Sequence, residues 1–113
     1  MNTTTASGYD AQSVQEGAGL LKAIAHPLRL AILAALLDGH RCVHEIVEAT
    51  GATQPLVSQH LRVLRAADLL SNERRGREVV YSITDDHIHH IVLDTLEHVR
   101  LEGSDHGAHV HEA

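Results

Sequence analysis

The spacing of apolar residues predicts a run of short amphipathic helices in the first half of the chain. Between Ala11 and Ile24, apolar residues recur every three or four positions, which is the repeat of a helix with one buried face. His26-Pro27 ends this pattern, because the residue before proline avoids helical backbone angles. Pro27 suits the first turn of a second helix, which Asp38-Gly39 ends.

Two further helices are predicted in the middle of the chain, separated by a tight turn. A short helix over about 43–49 is followed by Thr50-Gly51. Thr53 then provides an N-cap and Pro55 a first-turn residue for a fourth helix. Val57, Leu61 and Leu64 would form the inward face of that helix.

A β-hairpin and a last helix complete the predicted architecture. Strands over 69–73 and 78–83 flank the tip Arg74-Arg75-Gly76-Arg77, where glycine permits the turn. Thr84 or Asp85 caps a final helix that runs to about Leu101. We therefore expect a mainly α fold with a small hairpin over residues 10–102, a disordered segment over 1–9 and a flexible, histidine-rich tail over 103–113.

Composition narrows the class of protein without naming a function. The chain has 113 residues, 43% of them apolar, with no Phe or Trp, which indicates one small domain with an aliphatic core. Its single cysteine excludes an internal disulfide and fits a reducing cytosol. The longest apolar stretch, Leu30 to Leu37, is too short to span a bilayer, and the N-terminus lacks the features of a signal peptide.

Charge is distributed unevenly along the chain, and the two differently charged segments suit different ligands. Residues 54–80 carry five Arg against three acids, whereas residues 81–113 carry one Arg against seven acids and hold seven of the eleven His. The fourth helix and the hairpin are thus positively charged although the net charge is −6. A basic element suits nucleic acid, and an acidic, histidine-rich one suits a cation.

Two short helices at a tight turn, followed by an arginine-rich hairpin, are typical of a winged helix-turn-helix. Ser58, Gln59, Arg62 and Arg65 lie opposite the inward face of the fourth helix. Ser and Gln suit base edges, and Arg suits guanine or phosphate. A solvated helix, with a charged hairpin that discourages edge aggregation, would give the same pattern.

Three segments together resemble the ArsR/SmtB family of bacterial metal-sensing repressors. They are Ala25–Leu33 (AHPLRLAIL), Pro55–Leu64 (PLVSQHLRVL) and Arg75–Tyr81 (RGREVVY), within a match over roughly 15–102. The resemblance implies a winged-helix homodimer with five helices and two strands, joined through the first and last helices. It implies binding to double-stranded DNA at a palindromic operator. The implied contacts are Gln54, Ser58 and Gln59 to bases, Arg62, Arg74, Arg75 and Arg77 to phosphates, and His60, which either contacts DNA or packs.

Asp85, His87 and His98 suggest a metal site on the last helix. His87 and His98 are eleven residues apart, so they share a helix face but lie roughly 16 Å apart along the axis. Metal–nitrogen bonds are about 2 Å long, so a single helix cannot bring both to one ion. Two antiparallel copies would do so, burying the apolar stripe Ile88, Ile91, Val92, Thr95 and Val99 between them.

The family's zinc sensors carry a similar Asp-x-His pair, a His eleven residues later, and a His or Glu three beyond. Leu101 stands at that last position here, and Glu102 is the substitute that we expect. Less certain donors are His90, Asp94, His106, His109 and His111. Additional imidazoles and carboxylates favour nickel or cobalt, with zinc as the alternative. Asp85 would otherwise be only a helix cap, and the tail histidines would have no ordered role.

A weaker second site is suggested by Cys42 and His44, which stand where relatives that sense soft or large ions carry Cys-x-Cys. Without a further donor this pair makes a poor site, and a buried cysteine is usually a small apolar residue.

Taken together, these features predict a metal-responsive DNA-binding regulator, most simply a repressor. Alternatives are a DNA-binding regulator controlled by a partner protein or by Cys42 oxidation, and a metal carrier. An enzyme is not indicated, because we find no nucleophile–base pair and no phosphate-binding loop.

Overall fold

A computed structural model describes residues 8–106, with side chains described as far as Glu102. The fold has five helices and three strands. In chain order they are α1 (Ala11–Ile24), α2 (Pro27–Ala35), β1 (Arg41–Cys42), α3 (Val43–Thr50), α4 (Gln54–Ala66), β2 (Leu70–Arg75), β3 (Glu78–Ile83) and α5 (Asp86–His106). The predicted winged helix-turn-helix architecture is confirmed, with one strand more than expected.

Local side-chain and turn chemistry sets the helix boundaries. At the start of α1, the Asp10 carboxylate accepts a hydrogen bond from the Ser13 amide at 2.8 Å. At the start of α2, Nδ1 of His26 accepts from the Leu28 amide at 3.1 Å. Gly51 ends α3 with a φ of +76°, a left-handed conformation that glycine adopts without steric cost. Thr53 follows as the N-cap residue of α4, so the helix-turn-helix angle rests on a three-residue connection.

The helix α5 begins at the predicted cap but extends further than predicted. Oδ1 of Asp85 accepts a hydrogen bond from the Ile88 amide at 3.0 Å, which confirms its capping role. The helix runs to His106, five residues beyond the end predicted near Leu101. The predictions for residues 1–7 and 107–113 lie outside the described residues.

The wing is part of a three-stranded antiparallel sheet with strand order β1-β3-β2. Strands β2 and β3 pair from Leu70↔Ile83 to Arg75↔Glu78, leaving Gly76 and Arg77 as the turn. The φ of +65° at Gly76 explains the glycine at the first turn position. The short strand β1 was not predicted. It pairs with β3 on the edge opposite β2, so that Cys42 lies across from Val80.

The hydrophobic core is aliphatic and lies among α2, α3, α4 and the first half of α5. Ile88 and Val92 of α5 are 6% and 0% exposed because they pack into this core. The prediction that Ile88 and Val92 are buried between two copies of α5 was therefore wrong, because these two residues face the core of their own protomer. Val99, on the same helix face but beyond the core, is 60% exposed.

No single helix among residues 8–106 is both long and apolar enough to cross a membrane. Within these residues, α1 and α2 have the length and composition of a membrane span only when taken together, and the chain bends by 84° between them.

Candidate functional site

The helix α4 presents a polar face to solvent and an apolar face to the core. Val57, Leu61 and Leu64 are buried. Gln54, Gln59 and Arg62 are exposed, and Ser58 is half-buried on the same side. Four of the predicted DNA contacts thus lie on one accessible surface, with α3 supporting the helix from behind.

His60 is the exception among the predicted DNA contacts. It is 9% exposed, and its ring centroid lies 4.5 Å from that of His26. Of the two alternatives for His60, contact with DNA or packing, its burial beside His26 favours packing, because its position on α4 turns it toward α2. Burial lowers the pKa of His60, and the nearby His26 and Arg29 lower it further because they disfavour a second positive charge.

The arginines of the wing are all exposed, but Arg75 already has partners within the chain. Its Nε donates to Oε2 of Glu73 at 3.0 Å, and its Nη1 lies 3.0 Å from Nε2 of His40, to which it donates. These contacts hold Arg75 toward the α2–β1 connection. Arg74 and Arg77 lie on either side of it at the wing tip, where a phosphate backbone would approach.

The predicted metal donors of α5 are accessible to a partner. Asp85, His87 and His98 are exposed, with 75% of the His98 side chain accessible. Nε2 of His98 lies 3.7 Å from Oε2 of Glu102, one helical turn away. Glu102, the substitute for a donor at position 101, therefore reaches the same face as His98.

Two of the remaining predicted donors, His90 and Asp94, are exposed on α5. The neighbouring His89, to which we gave no role, donates a ring N–H to the Leu37 carbonyl oxygen at 2.9 Å and so ties α5 to the end of α2. The side chain of His106, and His109 and His111 entirely, lie outside the described residues.

Within residues 8–102, one group of three donors is brought together inside a protomer: Cys42, His44 and Glu78. Their ligand atoms all lie within 4.8 Å of one another. The Sγ atom of Cys42 lies 3.4 Å from Nδ1 of His44. The predicted weak pair of Cys42 and His44 therefore has a carboxylate beside it, contributed by the first residue of β3.

Glu78 was missed because its proximity depends on β1, a two-residue strand too short to show a periodic pattern. The neighbouring Glu45 is engaged differently. Its Oε1 accepts from the Cys42 amide at 2.9 Å, which fixes the start of α3 and lowers the pKa of Glu45. That hydrogen bond directs Glu45 back along the helix terminus rather than into the donor group.

Comparison with known proteins identifies the family. Residues 26–72 match the family described as bacterial regulatory protein, arsR family. The HTH-type transcriptional regulator NmtR of Mycobacterium tuberculosis is 39% identical over 99 residues, which are 85% of this chain and 82% of that protein. The chain belongs to the arsR family of bacterial regulatory proteins. The HTH-type transcriptional repressor SmtB of the same species is 50% identical over 88 residues, or 77% of this chain.

Structural comparison agrees with this assignment. The homodimeric winged helix-turn-helix DNA-binding domain from Mycobacterium bovis superimposes with a TM-score of 0.71 at 28% identity, covering 90% of this chain and 93% of that domain. The match to SmtB covers 65% of the length of that relative, so the chain aligns with a part of it.

Proposed function

We propose that this arsR-family protein is a homodimeric transcriptional repressor whose affinity for operator DNA changes when α5 binds a transition-metal ion. The observation that carries the proposal is the separation of two surfaces. The polar face of α4 and the arginines of the wing are exposed on one set of elements, and the predicted donors of α5 are exposed on another. We assign the first surface to DNA and the second to the metal.

DNA recognition is assigned to α4 and the wing. Gln54, Ser58 and Gln59 would read base edges, because their side chains offer both donors and acceptors at the end of a short stem. Arg62 on α4 and the wing arginines Arg74 and Arg77 would bind phosphates and so fix the position of α4 in the major groove. A twofold dimer would present two such helices to half-sites about 34 Å apart.

Metal binding is assigned to two protomers acting together. Asp85 and His87 of one protomer and His98 of the other would supply the donors, joined by Glu102. One carboxylate oxygen of Asp85 is occupied by the helix cap, which leaves Oδ2 for a ligand. Imidazole and carboxylate donors suit nickel or cobalt when several are present, and zinc when four suffice.

Hydrogen bonds at the start of α5 provide a link between the two surfaces. Thr84, next to Asp85, donates its hydroxyl to the Asp68 carbonyl oxygen at 2.9 Å and its amide to the Leu69 carbonyl oxygen at 3.2 Å. Asp68 and Leu69 join α4 to β2. A shift at Asp85 would therefore be transmitted to the end of α4 and to the base of the wing.

The test is a titration of the metal-free protein with Ni(II), Co(II) and Zn(II) while its binding to a promoter fragment is followed by fluorescence anisotropy. We expect one metal to change DNA affinity at least tenfold, or about 1.4 kcal/mol. The double variant His87→Ala/His98→Ala should lose this response and keep metal-free DNA binding.

A matched variant, Asp86→Asn, removes an exposed carboxylate from the same helix that is not among the predicted donors and should retain the response. If no metal changes the DNA affinity of the wild-type protein, the assignment of α5 as a metal switch is wrong. A metal-induced change that survives in the double variant would equally contradict the α5 site.

A further inference from the structure

Two large apolar side chains are exposed on α4, the helix assigned to DNA recognition. Within residues 8–102, seven large apolar side chains are exposed, and five of them lie on α1, just before α1 or on α5. Those five are at the helices that we propose join two protomers. The other two are Leu56 and Val63, which are 42% and 39% exposed. They interrupt the polar surface of α4, away from the proposed dimer contact.

We propose that Leu56 is a specificity-determining residue that contacts the 5-methyl group of thymine in the operator. Among the four bases of DNA, only thymine presents a methyl group in the major groove, and an apolar side chain recognises it by direct contact. The inference rests on the DNA-binding part of the proposed function and is independent of the metal switch. It adds an apolar contact to the polar ones assigned to Gln54, Ser58 and Gln59.

The position of Leu56 along α4 places it in the part of the helix that reaches the bases. Leu56 is the third residue of α4, which begins at Gln54. In helix-turn-helix proteins, the N-terminal residues of the recognition helix contact base edges. Val63 lies roughly 10 Å further along the axis, in the second half of the helix. The two exposed apolar residues therefore differ in their access to bases, although they lie only about 20° apart around the axis.

The position of Leu56 around α4 places it on the border of the exposed face. His60 follows about 40° beyond Leu56 and is 9% exposed, so the buried face begins there. Ser58 lies about 160° away in the other direction, with Gln59 and Arg62 between. A helix in the major groove turns its two borders toward the two DNA strands. Leu56 and Ser58 would therefore contact bases of different strands.

The chemistry of leucine limits what this side chain recognises on DNA. It has no hydrogen-bonding group, so it offers nothing to a phosphate or to the polar edge of a base. Removing the apolar surface of one methyl group from water changes an affinity by about fourfold. A twofold dimer repeats the contact in both half-sites, so two such methyl groups together are worth about fifteenfold. An effect of this size is measurable by direct titration.

The experiment compares two promoter fragments of identical sequence, one containing thymine and the other containing uracil, which lacks the 5-methyl group. Binding of the metal-free, full-length protein to each fragment is followed by fluorescence anisotropy. We expect the wild type to bind the uracil fragment about tenfold more weakly. Fragments with uracil at a single position of each half-site would then identify the thymine that Leu56 contacts.

Variants at position 56 test whether this residue causes the discrimination. Leu56→Ala removes the part of the side chain that extends from the helix, so its affinities for the two fragments should agree within about twofold. Leu56→Met keeps the length and the apolar character and should retain most of the wild-type discrimination. Val63→Ala, which shortens a similarly exposed apolar residue further along α4, should discriminate as the wild type does. Circular dichroism checks that each variant is folded.

Equal affinity of the wild type for both fragments would overturn the proposal, as would a wild-type ratio of affinities in Leu56→Ala. Loss of the discrimination in Val63→Ala alone would assign the methyl contact to Val63 instead. Dissociation of Leu56→Ala into monomers in sedimentation equilibrium would make Leu56 a contact between protomers. A wild-type protein that binds neither fragment would contradict DNA recognition itself, whereas failure of the metal switch leaves these metal-free measurements unaffected.

Discussion

The imidazole rings of His26 and His60 lie 4.5 Å apart between centroids and are tilted by 40°. His26 caps α2 through its Nδ1 atom, and His60 projects inward from the middle of the recognition helix α4. This pair therefore fixes α4 against α2. Among the described residues, Nδ1 of His60 and Nε of Arg29 are buried without a hydrogen-bond partner. A positive charge on the His60 ring would therefore be unfavourable in this contact.

The first prediction concerns the pH dependence of stability. The pKa of His60 in the folded protein is lowered by burial and by the charges of His26 and Arg29. In the unfolded chain this residue takes up a proton at a pH of about 6.5, whereas in the folded protein it does so only at a lower pH. His60 therefore contributes stability above that pH, and the contribution is lost as the pH falls toward its folded pKa. We expect urea unfolding of the metal-free protein to show a lower free energy at pH 5.5 than at pH 7.5.

The variant His60→Leu tests whether this residue causes the loss. It replaces the ring with an apolar side chain that does not titrate, so the difference in unfolding free energy between the two pH values should become smaller. His90→Gln, which removes an exposed imidazole, should retain the wild-type difference. If His60→Leu and the wild type lose stability equally on acidification, another group is responsible.

The second prediction concerns the turn between α3 and α4. Gly51 has a φ of +76°, and a Cβ atom built there meets nothing within 4 Å. The cost of Gly51→Ala is therefore one of backbone conformation, and we expect about 1 kcal/mol lower stability by thermal unfolding. Gly51→Asn should recover most of the loss, because asparagine tolerates this conformation. Equal destabilisation by both substitutions would indicate a steric rather than a conformational cause.

Features set by local chemistry were predictable from the sequence. Proline at position 27, glycine at position 51 and aspartate at position 85 mark helix ends by mechanisms that act within a few residues, and the predicted boundaries at these points match the structure. The bounds of α1 also match the prediction, since its limits are set by the Asp10 cap and by His26-Pro27.

Features that depend on tertiary packing were not predictable. The apolar stripe of α5 indicates one buried face, but periodicity does not reveal whether that face meets the same protomer or a partner. Ile88 and Val92 pack into their own core, whereas Val99 does not. His60 and Glu78 illustrate the same difficulty, because α2 covers the first and β1 brings the second to Cys42.

The third prediction compares two arginines of the wing. Arg75 is held by Glu73 and His40, whereas Arg77 is at the exposed turn. Arg77→Ala should weaken operator binding and reduce the slope of log affinity against log salt by about one, the effect of losing one phosphate contact. Arg75→Ala should change the slope less. Anisotropy titrations over a range of salt concentrations measure both, and the reverse order would place Arg75 rather than Arg77 on the DNA.

The fourth prediction concerns the dimer. Leu21 on α1 and Val99 on α5 are 54% and 60% exposed in the protomer, on the two helices that we propose form the interface. An aspartate at either position would place an unpaired charge in an apolar contact, which is unfavourable. Sedimentation equilibrium should show dimer dissociation at least tenfold more favourable in Leu21→Asp and Val99→Asp. Val63→Asp, which alters an apolar residue 39% exposed on α4, should dimerise as the wild type does. Equal weakening by all three would indicate general destabilisation instead of an interface formed by α1 and α5.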